Sequence, residues 1–90
     1  MSNSFKKLDL DLETRKGLAA LRYPIRSTTV QYWINELEHK EYEELKLLAK
    51  EAVSSLKEAK RVNNIATQAY FKAKKIILDY FLRVNVRIKQ

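Results

Sequence analysis

The second half of the chain displays cations whose number suits contact with phosphate groups. Residues 52–90 contain nine Lys or Arg against two acidic residues, a net charge of +7. Sequence-independent binding of nucleic acid needs little more than such an array, because each cation neutralises a phosphate. The alternative is a solvated helix face, the ordinary place for lysine. The predicted nucleic-acid contacts in this half are Lys57, Lys60, Arg61, Lys72, Lys74 and Lys75.

Charge is distributed unevenly along the chain as a whole. Residues 1–31 carry six basic and three acidic side chains, and residues 32–51 carry three basic and six acidic ones. These two blocks cancel (+3 and −3), so the net +7 of the chain equals that of its C-terminal half. A basic segment of this kind attracts polyanions, which include nucleic acid, an anionic membrane face and an acidic protein surface.

Residue types suited to catalysis or metal binding are scarce. Glu36 and His39 form a Glu-x-x-His step, the spacing that places a carboxylate and an imidazole on one helix face in di-iron bundles. This single copy lies in a highly charged stretch, for which a solvated helix face is the simpler interpretation. His39 is the sole histidine and the chain has no cysteine, so a general base with an orienting partner cannot be assembled from the usual residues. The sequence predicts no enzyme activity, no cofactor and no metal site.

Residues 20–33 resemble the core of a helix-turn-helix unit. In such units a small residue lets two helices cross closely, an apolar residue fills the turn, and a Thr-Val pair followed by Trp anchors the second helix. The residues in those positions are Ala20, Ile25, Thr29, Val30 and Trp33. The resemblance implies that a second set faces the major groove, namely Arg26, Thr28, Gln31, Tyr32 and Asn35. It also implies phosphate contacts by Arg22 and Arg26. The alternative is an ordinary helix–loop–helix corner with Val30 and Trp33 in the core.

Composition indicates which elements position these side chains. One glycine and one proline in 90 residues leave helix propensity almost uninterrupted, so we predict an all-α protein forming a single domain over residues 1–90. The absence of cysteine suits an intracellular, cytoplasmic protein. The N-terminal residues lack the apolar core of a signal peptide. The longest apolar run is far shorter than the roughly 20 residues that span a bilayer, so no transmembrane segment is predicted.

The predicted elements are a short first helix and a long helical remainder. Residues 1–8 are expected to form a flexible arm, and the first helix to begin near Asp9 or Asp11 and end at Tyr23, before Pro24. The hydroxyl cluster of residues 27–29 supplies N-cap candidates for a second helix that continues through Leu56. Residues 85–90, in an alternating apolar and polar stretch, are expected to form a frayed basic tail.

Small and apolar residues recur at steps of three and four along the second half, which is the pattern of a helix seam. Seven-residue spacing relates its alanines, so a partner helix can approach closely. The predicted interface residues are Leu45, Leu48, Ala52, Ala59, Val62, Ala66, Ala69, Ala73, Ile76 and Tyr80. The seam is compatible with a hairpin or three-helix bundle that turns near Asn63 and Asn64, and with one continuous helix in a coiled-coil oligomer. We favour a turn at residues 61–65, because a lone chain must fold back to bury apolar surface.

These observations predict a binding and assembly protein. Its basic surface is expected to associate with nucleic acid, and its alanine-rich seam with a helical protein partner or a second copy of the chain. The alternative is a purely protein-binding subunit or adaptor of a larger complex, with no nucleic-acid contact.

Overall fold

The computed structural model describes the backbone of residues 10–89 and the side chains of residues 10–84. The predicted arm at residues 1–8 lies outside this range. The described residues contain no strand and form four helices: α1 (Leu12–Ala19), α2 (Ser27–Leu37), α3 (Tyr42–Arg61) and α4 (Ile65–Lys89). Helix α4 packs against each of the other three, most extensively against α3. The prediction of an all-α fold is confirmed, and α4 is its central helix.

Helix α1 begins where its sequence supplies an N-cap. The Asp11 carboxylate accepts a hydrogen bond from the backbone N–H of Thr14 at 2.9 Å, which satisfies one of the free donors of the first turn. This confirms a start at Asp11. The helix ends at Ala19, four residues before the predicted end at Tyr23. The side chain of Ile76 on α4 packs beside Gly17, which places α1 directly on the central helix.

Replacing Gly17 by alanine should stabilise the protein. A Cβ atom at this position would lie 3.4 Å from Cδ1 of Ile76, an ordinary van der Waals contact. Glycine in a helix costs about 0.5–1 kcal/mol relative to alanine, so Gly17→Ala should raise the free energy of unfolding by about that amount. Urea unfolding followed by circular dichroism measures the change. A destabilised variant would show that α1 and α4 cannot accommodate the added methyl group.

Helix α2 begins one to three residues earlier than it would with an N-cap within the hydroxyl cluster. Its N-cap residue is Arg26, whose side chain forms no capping hydrogen bond, and residues 27–29 already belong to the helix. The predicted N-cap role of these hydroxyl residues is therefore wrong. The apolar face is placed as expected: Val30 and Trp33 are 0% and 2% exposed, and both contribute to the hydrophobic core.

The prediction of one helix from residues 27–29 to Leu56 is also wrong. Helix α2 ends at Leu37 and α3 begins at Tyr42, with Glu41 as its N-cap residue. Leu37 and Leu45 are both buried in the same core cluster, and the break redirects the chain so that α3 lies along α4. No glycine or proline marks the break. Its sequence marker is acidic: Glu43 and Glu44 occupy the first turn of α3, where carboxylates are favoured.

The predicted turn near Asn63 and Asn64 is confirmed, so α3 and α4 form a hairpin. Asn63 adopts the left-handed conformation (φ 56°), which asparagine tolerates better than most residues. The N–H of Asn64 donates to the carbonyl of Ala59 at 2.9 Å and that of Asn63 to Lys60 at 3.1 Å, a Schellman motif. The Asn64 side chain then caps α4 by accepting from the N–H of Thr67 at 3.0 Å. The two asparagines thus end one helix and begin the next.

The alanine seam packs α3 against α4 within one chain. Its buried members are Leu45, Ala52, Ala59, Ala69 and Ala73, and its partly buried members Leu48, Ile76 and Tyr80 pack against the core. Val62 and Ala66 are exposed near the turn. The two exposed members flank the turn, where neither helix is covered by the other, and beyond it burial on α4 resumes at Ala69 and Ala73. The prediction that a partner helix contacts this seam stays a prediction.

Helix α4 extends further than the sequence suggested. Its backbone is helical through Lys89, so the expectation of a frayed tail from residue 85 is wrong for residues 85–89. The side chains of residues 85–89 lie outside the described set. None of the helices in residues 10–89 is long and apolar enough to cross a membrane.

Candidate nucleic-acid interface

A small cavity lies between the connection of α1 to α2 and the N-terminal half of α4. Its volume is about 130 Å³, and its polar lining consists of Arg22, Tyr23, Gln68 and Lys72. Leu21, Ile65 and Ala69 contribute apolar surface. Arg22 and Lys72 are 50 positions apart in the sequence, and the packing of the connection on α4 brings both to one cavity. The structure thus joins two residues that the sequence assigned to nucleic-acid contact for separate reasons.

The cavity has cations but no carboxylate among the described residues that line it. Neither Arg22 nor Lys72 forms an ion pair within the described part of the chain. A second cavity, between α1 and α4, has the opposite character: Glu13, Asp79 and Arg83 all line it. The single cation is therefore compensated at the second cavity, whereas the two cations of the first have no carboxylate among the described lining residues.

The remaining cations of the C-terminal half divide into paired and unpaired groups. Lys75 donates to both oxygens of Asp79 at 2.9 and 3.0 Å, and Arg61 donates to Glu58. Within residues 10–84, Lys57, Lys60 and Lys74 have no ion pair, and the first two are exposed in the last turns of α3. We call Arg22, Lys57, Lys60, Lys72 and Lys74 the hairpin cations, because all lie in or beside the half of the bundle that contains the α3–α4 turn.

The predicted base-contacting residues form an exposed stripe on α2. Thr28, Gln31, Tyr32 and Asn35 are exposed and recur at helical spacing on one face. The Gln31 amide donates to Asn35 at 2.8 Å, and the Tyr32 hydroxyl donates to Glu36 at 3.2 Å. The charge of Glu36 and this hydrogen bond raise the pKa of Tyr32. Gln31 and Asn35 thus bond to each other within the stripe, and Tyr32 bonds to a residue outside it.

The corner does not have the geometry that the helix-turn-helix resemblance implied. Seven residues, 20–26, connect α1 to α2, whereas the motif uses a turn of about three or four. Ala20 is exposed, and the main contacts of α1 and α2 are with α4, so the close crossing expected at Ala20 is not formed. Val30 and Trp33 serve the core, as in an ordinary helix–loop–helix corner.

The cavity and the α2 stripe lie on different sides of α4. The ring of Tyr70 meets that of Trp33 of α2 edge to face, with centroids 5.1 Å apart. Lys72 follows Tyr70 by two residues, a rotation of about 200° around the helix axis. Arg26, at the start of α2, is exposed and does not line the cavity. The residues predicted to contact nucleic acid therefore do not form one continuous surface.

The Glu-x-x-His step does not extend along a helix. Glu36 lies in the last turn of α2 and accepts from Tyr32, whereas His39 follows the end of the helix and lies 3.4 Å from Glu38. In the described part of the chain, no group of three or more His, Cys, Asp or Glu residues could hold a metal ion.

Two features of the structure had no marker in the sequence. Tyr23 and Gln68 complete the lining of the cavity, and no spacing rule relates positions 45 residues apart in different elements. Arg83 donates to Asp11 at 2.8 Å and to the buried Thr14 hydroxyl at 3.0 Å, which ties the start of α1 to α4. Such contacts become visible only once the helices are packed.

Comparison with known proteins finds no relative from which a role for these residues can be transferred. No protein-family model matches the chain, and neither a curated protein nor a solved structure matches it.

Proposed function

We propose that this protein binds nucleic acid, without catalysing a reaction, through phosphate contacts made by the hairpin cations. The observation that supports this most directly is the cavity shared by Arg22 and Lys72, in which no carboxylate among the described lining residues balances the two charges. Cations that lack internal partners are available to neutralise phosphates and release counterions, which is the main source of sequence-independent affinity.

The distribution of charge along α3 also supports binding of a polyanion at the end of the bundle that contains the α3–α4 turn. Glu43 and Glu44 lie in its first turn and Lys60 and Arg61 in its last, so the helix is acidic at one end and basic at the turn. A polyanion is attracted to the turn end and repelled from the other.

Affinity for a single-stranded oligonucleotide should fall steeply with salt, and replacing hairpin cations should reduce that dependence. We expect each lost phosphate contact to lower the slope of log K against log salt by about 0.7–0.9. The test variant is Lys57→Gln, Lys60→Gln, Lys72→Gln. The matched control, with the same loss of charge, is Lys40→Gln, Lys46→Gln, Lys50→Gln. Fluorescence anisotropy at several salt concentrations measures both.

The control variant separates the effect of where the cations lie from the effect of losing three positive charges. Lys40 and Lys46 pair with Glu44 and Glu43 at the acidic end of α3, both at 3.5 Å. If the two triple variants lose affinity equally, the hairpin cations have no special role. If the unmodified protein binds no oligonucleotide even at low salt, nucleic-acid binding is excluded and the alternative of a protein-binding adaptor stands.

A further inference from the structure

We infer that the cavity between the α1–α2 connection and α4 is a binding site for one phosphate group, held between Arg22 and Lys72. The inference rests on the proposed function for the source of that group, the backbone of a nucleic acid. A phosphate free in solution has the same chemistry, and the experiment below separates the two sources.

The first argument is electrostatic. Bringing two cations to one cavity is unfavourable unless an anion offsets their repulsion, and no carboxylate among the described lining residues does so. At the cavity between α1 and α4 the guanidinium of Arg83 is bonded to Asp11, with Glu13 and Asp79 also lining that space. Helix α4 thus lines one cavity whose cation is compensated within the chain and one whose two exposed cations have no carboxylate beside them among the described lining residues.

The second argument concerns the donors. Arg22 offers a planar fork that matches two phosphate oxygens, and Lys72 offers a compact ammonium with three rotatable donors. The Tyr23 hydroxyl adds a neutral donor at the same cavity, and the Gln68 amide, whose Nε2 donates to the carbonyl of Ala59 at 3.5 Å, has a second N–H for a further partner. Ile65 and Gln68 belong to the first turn of α4, whose positive dipole end favours an anion. Leu21 and Ala69 supply apolar surface, while Arg22, Tyr23 and Lys72 are exposed, so an anion can reach them from solution.

The third argument is size. The cavity measures about 130 Å³, whereas sites that enclose whole small molecules measure about 300–1,000 Å³. It therefore suits a single tetrahedral group whose attached chain remains outside. A polynucleotide presents such groups at its surface, and its sugars and bases need not enter the cavity.

A double-mutant cycle tests whether Arg22 and Lys72 hold the same group. Arg22→Gln and Lys72→Gln should each weaken oligonucleotide binding about tenfold, because each removes a charge-assisted hydrogen bond. The double variant should lose clearly less than the product of the two single losses, because either cation alone cannot clamp the group. In the control cycle, Arg22→Gln combined with Lys60→Gln should give multiplicative losses. Arg22→Lys should fall between the unmodified protein and Arg22→Gln.

A second arm uses inorganic phosphate alone as the probe. Titration of the unmodified protein, followed by amide chemical shifts, should perturb residues 20–23 and 65–69 in a saturable manner, and Arg22→Gln should abolish the change. Oligonucleotide binding with multiplicative losses in the Arg22–Lys72 cycle would overturn the inference while leaving the proposed function intact. Saturable amide shifts on adding phosphate, without any oligonucleotide binding, would support the phosphate site and exclude the proposed function. If these two segments show no shift and the losses in the Arg22–Lys72 cycle are multiplicative, the inference of a phosphate site is overturned.

Discussion

Ala73→Leu should lower the free energy of unfolding by about 1–3 kcal/mol, whereas Ala66→Leu should change it by less than about 0.5 kcal/mol. Both alanines belong to the same seven-residue series, and both lie in α4. Ala73 is 0% exposed in the core cluster, so three added carbons have no space there. Ala66 is exposed, so its leucine would extend into solvent.

Urea unfolding of the two variants beside the unmodified protein measures the difference. Ala59→Leu, on α3, should lower the free energy of unfolding by an intermediate amount, since Ala59 is buried near the turn but outside the core cluster. Equal destabilisation by Ala66→Leu and Ala73→Leu would contradict the exposure of Ala66 beside the turn. That result would favour a seam that runs continuously through residues 61–65, as in an extended helix paired with another chain.

The seam shows how far the sequence determines the fold. Its period identified the helices and the small residues of the interface, because spacing of three and four is a local property of any buried helix face. Which members are buried depends on the turn at Asn63, because Val62 and Ala66 on either side of it are exposed. Asparagine there made the turn predictable, but the exposure of its neighbours could not be derived from residue types.

The break between α2 and α3, in contrast, could not be predicted from residue types. Residues 38–41 contain neither glycine nor proline, yet the chain leaves helical geometry there, between two leucines, Leu37 and Leu45, that are buried in one core. Long-range packing, rather than local propensity, decides such a position. The candidate site has the same origin: the sequence singled out Arg22 and Lys72 separately, and only the packing of the connection on α4 joins them.

The contact between α1 and α4 should make stability depend on pH through Asp11. Partial burial opposes ionisation of this carboxylate, but hydrogen bonds from Thr14 and Arg83 outweigh it and lower its pKa from 3.8 to about 2. A carboxylate with a depressed pKa stabilises the folded state above its unfolded pKa, and this contribution is lost as the pH falls. The relevant window therefore extends from about pH 4 down to about pH 2.

Asp11→Asn isolates the charge, because asparagine is also a good N-cap residue and retains an acceptor for the N–H of Thr14. The Asp11 side chain is 40% exposed, so solvent screening limits the ion pair with Arg83, and we expect a loss of about 1 kcal/mol at neutral pH. Asp11→Ala removes the cap as well and should cost about 1 kcal/mol more.

The decisive measurement is the difference in unfolding free energy between the unmodified protein and Asp11→Asn as a function of pH. We expect it to be constant above pH 4 and to vanish near pH 2, because the protonated carboxyl no longer differs in charge from the amide. Glu51→Gln, at an exposed position in α3, should change stability by less than about 0.5 kcal/mol at every pH. A difference for Asp11→Asn that persists unchanged to pH 2 would mean that the amide disturbs the cap itself. In that case the ion pair with Arg83 would not be what joins α1 to α4.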